Sequence, residues 1–176
     1  MRRTRRDILH LVVEDHRTTE EHLYDVVAAR RVERGENFAL LRSDLERHWT
    51  AEEAVVYPLV RRAGGEAASQ AERGGSAHAD TGRLVAELGT LDPQGDDFAG
   101  RLLTLTTVFT DHVHHEEDEL LPVLADLGGP DRLEALGRTY RAARAAIRPR
   151  IPVAGSAPFD ALAEPVAVPG APLAWW

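Results

Sequence analysis

Apolar residues recur at three- and four-residue intervals along most of the chain, and in four successive stripes a histidine takes one place on the apolar face. The first stripe is Leu9, Val12, Val13, His16, Leu23 and Val26, ending near Arg34-Gly35-Glu36-Asn37. The second is Leu41, Leu45, His48, Glu52, Val55, Val56 and Leu59, closed by Gly64-Gly65. The third, His78, Thr81, Val85 and Leu88, stops at the turn Asp92-Pro93-Gln94-Gly95. The fourth holds Leu102, Leu105, Val108, Phe109, His112, Glu116, Leu120 and Val123, and runs to Gly128-Gly129-Pro130. No segment alternates long enough to form a sheet, so the pattern predicts an all-α fold. Short connections make consecutive helices antiparallel neighbours, which predicts an up-down-up-down four-helix bundle over residues 1–127.

Two glycine pairs between Gly64 and Ser76 point to a kinked start of the third helix rather than a long loop. Leu133, Leu136, Tyr140, Ala143 and Ile147 predict an added C-terminal helix over 128–147, with proline in its first turn and its arginines on a solvated face. The tail 148–176 holds six of the ten prolines and is expected to be a strap over the bundle or disordered, with a lid or partner-binding segment as the competing expectation.

Acidic residues number 29 against 21 basic ones, a net charge of -8, which argues against nucleic acid as a partner. The absence of cysteine removes disulfides, thiolate-bound clusters and cysteine nucleophiles from consideration. The basic opening through Arg6 resembles a secretory leader, but the apolar run after it ends at Val13 and meets Glu14 and Asp15. No run approaches the roughly 20 apolar residues that span a bilayer, so neither a signal peptide nor a membrane partner is expected and the location is expected to be cytoplasmic.

Within the second and fourth stripes a motif is repeated: His, three residues, Glu-Glu, four residues, Pro. It runs from His48 through Glu52 and Glu53 to Pro58, and from His112 through Glu116 and Glu117 to Pro122. Residues four apart stack on one helix face, so His48 points with Glu52 and His112 with Glu116. In antiparallel neighbours, residues equidistant from the turn lie level. The midpoint of His16 and His48 is Val32, that of His48 and His78 is Ala63, and that of His78 and His112 is Gly95, each in or near a turn. Four imidazoles and two carboxylates are therefore expected in one layer of the core.

Burying an uncompensated carboxylate costs several kcal/mol, comparable to the stability of a domain. Protonation, a salt bridge or a metal could compensate; the chain has no lysine and the stripes carry no arginine beside the layer, which favours metal. Imidazole and carboxylate without sulfur suit iron, manganese or zinc. The His-Glu-x-x-His protease signature and the paired Glu-x-x-His motifs of other di-metal bundles are missing. If Glu52 and Glu116 each bridge two ions, a bridging oxide or hydroxide completes five ligands per ion and leaves an octahedral iron one place for dioxygen, peroxide or nitric oxide. His115 and Glu20 are possible extra ligands, while His10, His22 and His114 face elsewhere. Glu53, Glu117, Asp118 and Glu119 are expected to be solvated helix charges, and Tyr57 or Tyr24 could donate a hydrogen bond near the site.

The segments from Asp7 to Arg17, His48-x3-Glu52-Glu53-x4-Pro58, Ala77-His78-Ala79 and His112-x3-Glu116-Glu117-x4-Pro122 resemble hemerythrin-like proteins with the HHE cation-binding domain, over about residues 7 to 125. The resemblance implies a four-helix bundle around a non-haem di-iron centre with His16, His48, Glu52, His78, His112 and Glu116 as ligands. Oxygen-carrying members have a second histidine one turn from the first on the third helix; here Gly74 and Gly82 stand there, which argues against pure reversible oxygen carriage. Where the family often has a histidine before the last ligand histidine, this chain has Asp111, which either orients an imidazole or is solvated. The expected function is binding or reacting with dioxygen, peroxide or nitric oxide through two iron ions, in sensing, storage or detoxification. The competing expectations are a di-iron oxidase, oxygenase or catalase-like enzyme acting on a small-molecule substrate, and an interaction module whose metal is structural.

Overall fold

Asp7 starts the first helix by accepting a hydrogen bond from the His10 backbone N–H at 2.9 Å, which satisfies one of the donors every helix N-terminus leaves free. In the computed structural model, which describes residues 7–30 and 32–147, this helix is α1, Ile8–Ala28. It is followed by α2 (Arg34–Val55), the short α3 (Tyr57–Arg62), α4 (Gly65–Leu88), α5 (Asp96–His115), a π-helical turn (Glu116–Leu120), α6 (Leu121–Asp126) and α7 (Pro130–Ala146). The described residues contain no strand, as the helical periodicity predicts. The basic start of the chain and the proline-rich tail 148–176 lie outside the described residues.

Two of the predicted stripes are not single helices, and proline explains both. Proline has no N–H and its ring collides with the carbonyl four residues back, so a straight α-helix cannot pass through it. At Pro58 the chain breaks between α2 and α3, with Leu59 and Val60 both donating to the Val56 carbonyl. At Pro122 the helix instead widens into the π-turn, in which Leu121 donates to the Glu116 carbonyl five residues earlier. Glu52 thus stands just before the break, and Glu116 opens the π-turn. The start of α4 is set by Gly64 and Gly65, whose φ angles of 73° and 55° favour glycine, and α4 then runs through Gly74 and Gly75.

Two apolar clusters form the core. One gathers Ile8, Leu9, Val12, Ala51, Val55, Val56, Val60, Ala71, Leu120, Leu121 and Leu124, and the other Leu23, Val26, Leu41, Leu45, Leu84, Val85, Leu88, Phe98, Leu105 and Phe109. His16 lies between the first cluster and the second along α1; along α2 the order around His48 is reversed, along α4 it reverts, and along α5 and its π-turn it reverses again. The histidines therefore mark the boundary between two apolar halves.

The added helix α7 packs on α1 and α2 and closes the first cluster with Leu133, Tyr140 and Ala143. Its polar side is not simply solvated. The Tyr140 hydroxyl donates to Asp15 Oδ2 at 2.7 Å, and Arg144 pairs with Asp15 and, at 3.5 Å, with Asp44. Burial pushes the Asp15 carboxyl up despite the opposing pull of Arg144 and the Tyr140 hydrogen bond.

Candidate metal centre

The boundary between the two clusters is a polar layer in which His16, His48, Glu52, His78, His112 and Glu116 are all buried. α1 supplies His16, α2 His48 and Glu52, α4 His78, α5 His112, and the π-turn Glu116. The four imidazoles turn their Nε2 atoms toward one another and toward the carboxylates. His48 and His78 each place Nε2 3.2 Å from Glu52 Oε2. His16 Nε2 is 3.2 Å and His112 Nε2 3.7 Å from Glu116 Oε2, and the Nε2 atoms of His48 and His112 are 3.4 Å apart. Two overlapping sets each bring four ligand-type atoms within 4.8 Å of one another: His16, His48, His112 and Glu116, and His48, Glu52, His78 and His112.

Apolar and aromatic walls hold the rings. Phe109 lies edge-on to His16 and His48 with centroids 6.4 and 6.3 Å away. Tyr57 stacks on His78 at 5.1 Å and 20°, donates its hydroxyl proton to Glu116 Oε1 at 2.7 Å, and lies 3.1 Å from His78 Nε2. Burial, followed by the charge of Glu116, pushes this phenol far above the ordinary tyrosine range, so it stays protonated as a donor. Tyr24, the other tyrosine considered from the sequence, is 71% exposed and takes no part.

Burial and close mutual contact shift the protonation preferences of these groups in different directions. Burial, then the neighbouring Glu116, raises Glu52 well above the carboxylate range. For Glu116 burial works upward too, but the imidazoles of His112 and His16 outweigh it and hold the group well below its ordinary value. Burial also works to lower His16, yet Glu116 and Glu117 outweigh it and raise the imidazole. Burial dominates for His48, well below its ordinary value, and for His112, pushed down to about 3. Both carboxylate oxygens of Glu52 are buried without a hydrogen-bond partner. Anionic and neutral donors crowded round unsatisfied oxygens are what a bound cation would relieve, so the residues present fit a metal.

Of the second glutamates, expected to be solvated charges, Glu53 is exposed as expected and Glu117 is half-buried, and each also touches a histidine of the layer. Glu117 Oε1 lies 3.0 Å from His16 Nδ1, and Glu53 Oε1 lies 3.2 Å from His78 Nδ1. The other nominees lie outside the layer: His115 contacts the Gln70 carbonyl at 3.2 Å, Glu20 pairs with Arg17 at 2.8 Å, and Asp111 is exposed. His22 pairs with Asp44 at 2.6 Å.

Comparison with known proteins agrees with this geometry. Similarity extends to a protein named DNA nickase from Nostoc sp. (strain PCC 7120), 28% identical over 116 residues, which make up 66% of this chain and 32% of that protein. The chain thus spans about a third of that relative's length. No solved structure matches it significantly. The hemerythrin HHE cation-binding domain matches residues 7–124, a span that includes every residue of the polar layer, and the chain belongs to that family.

Proposed function

We propose that the layer binds two iron ions, with His16, His48, Glu52, His78, His112 and Glu116 as ligands, and that the protein binds or reacts with dioxygen, peroxide or nitric oxide in sensing, storage or detoxification. The observation that carries this reading is the pair of overlapping, fully buried ligand sets. His16 belongs to one set and His78 to the other, while His48 and His112 belong to both, so the two shared histidines supply one ligand to each ion. The alternating order of the two apolar clusters along α1, α2, α4 and α5 supports an up-down-up-down arrangement of these helices around the ions.

Iron would supply reversible redox chemistry and affinity for small oxygen- or nitrogen-containing ligands. The chain supplies the rest. Phe109 and the apolar clusters limit water, the Nε2 atoms face inward, and the Tyr57 hydroxyl holds a proton at Glu116 Oε1, 2.7 Å away. The cavity between α2 and α7 is lined by Arg47, Arg141, Arg144, Ala145 and Ile147, none of which belongs to the layer. The nickase similarity is not carried over as a DNA activity, because the chain has a net charge of -8 and matches only part of that protein.

Mixing the reduced, iron-loaded protein with dioxygen or nitric oxide, and following the optical spectrum, tests the reading. A bounded spectral change with stoichiometric uptake supports binding or sensing. Sustained consumption of a small co-substrate would shift the assignment to an oxidase or oxygenase. A redox-silent protein that unfolds when stripped of metal would indicate a structural ion.

A further inference from the structure

The repeated motif carries two adjacent glutamates, and only the first of each pair enters the ligand sets. The second turns away, and in both repeats it reaches across to a different helix. Glu53 on α2 meets His78 of α4, and Glu117 on the π-turn meets His16 of α1. Those are the two histidines of the layer whose own helices supply no layer carboxylate. The contacts are made at Nδ1, the ring atom opposite the inward-facing Nε2. His48 and His112, by contrast, have buried Nδ1 atoms with no hydrogen-bond partner.

A carboxylate facing Nδ1 keeps a proton on that atom, leaves the Nε2 lone pair free, and fixes the rotation of the ring. Glu117 is itself held by Arg17, which donates to its Oε2 at 3.1 Å and to Glu20 at 2.8 Å. The Glu117 side chain is 23% exposed and that of Glu53 52%, so the His16 side is the more enclosed.

Building on the two-ion reading above, we propose that Glu53 and Glu117 are positioning residues that orient His78 and His16 respectively, one for each metal position. The doubled glutamate then divides its work: the first member of each pair faces the metal, and the second orients a neighbouring helix's histidine that belongs to the same ligand set. Because His78 and His16 fall in different sets, the two glutamates act on different ions.

Titration of the metal-free protein with cobalt(II), with the exchangeable imidazole N–H proton resonances of the loaded form as a second readout, separates positioning from general support. Wild type is expected to bind two ions. Glu53→Ala is expected to weaken one position about 10- to 100-fold and to lose or shift the His78 N–H resonance, leaving that of His16 in place; Glu117→Ala is expected to do the reverse. Glu53→Gln and Glu117→Gln retain an oxygen that can accept the hydrogen bond from Nδ1–H, so each should recover part of the affinity and keep its resonance. Two-ion binding by wild type with unchanged affinity and resonances in both alanine variants overturns the inference while sparing the two-ion reading. So does an equal weakening of both positions by either variant. Failure of wild type to bind two ions overturns both.

Discussion

Gly74 and Tyr57 occupy one space: a Cβ at position 74 would stand 2.5 Å from the Tyr57 hydroxyl oxygen and 2.7 Å from its Cζ. Position 74 lies one helical turn before His78, where a longer side chain would point at the same layer. In this chain the tyrosine from α3 fills that place, and its hydroxyl reaches Glu116. Gly82, one turn on the other side, faces open space.

Gly74→Ala therefore forces the phenol away from Glu116. The expected cost is about 1–3 kcal/mol of folding stability, as for overpacking elsewhere, and denaturant melts measure it. Gly82→Ala is the control, expected to be neutral or slightly stabilising because it adds helix propensity without a clash.

Glu52 gives a prediction of opposite sign for the metal-free protein. Its folded-state pKa is raised, so as pH rises above the ordinary carboxylate range the unfolded chain releases a proton that the folded chain retains, and stability falls. Glu52→Gln in stripped protein is expected to be more stable than wild type at pH 8, with the advantage fading toward pH 4, as read by thermal melts. The same variant should retain less metal.

His112 titrates the other way. Its folded pKa is near 3, whereas an unfolded histidine takes up a proton near 6.5, so stability is lost as pH falls through that window. Between pH 6.5 and 5 the contribution is about 2 kcal/mol in the metal-free protein. His112→Asn should flatten the pH dependence of urea unfolding by about that amount.

The attachment of α7 can be tested at Asp15. Arg144→Met leaves this buried carboxylate with the Tyr140 hydroxyl but no cation, and roughly 2 kcal/mol of stability should be lost. Tyr140→Phe removes the other partner and should cost about 1–3 kcal/mol, measured by equilibrium denaturation.

Much of the layer was legible because its evidence is periodic. Histidines on apolar stripes, equidistant from turns, predict a common level, and the structure brings those six side chains together. The positions of Glu53 and Glu117 were less accessible. A residue adjacent to an inward-facing one is turned about 100° round the helix, which suggests solvent when each helix is considered alone. The available signal was relational: each repeat carries a second glutamate, and the two histidines outside the repeats, His16 and His78, sit on the neighbouring helices. Tyr57 was ambiguous for another reason, since its place on the stripe serves packing as well as hydrogen bonding. Pro58 and Pro122 carried the warning that the helices change there, but the choice between a break and a π-turn depends on tertiary packing.

The most direct test of the central claim is quantitative metal analysis of protein loaded anaerobically with iron(II), alongside its His16→Ala, His78→Ala and His112→Ala variants. Two iron ions per wild-type chain are expected, and in each variant one ion is retained tightly while the position that lost its histidine is weakened. A wild-type chain that holds no iron, or one that keeps two tightly bound ions in all three variants, would contradict it.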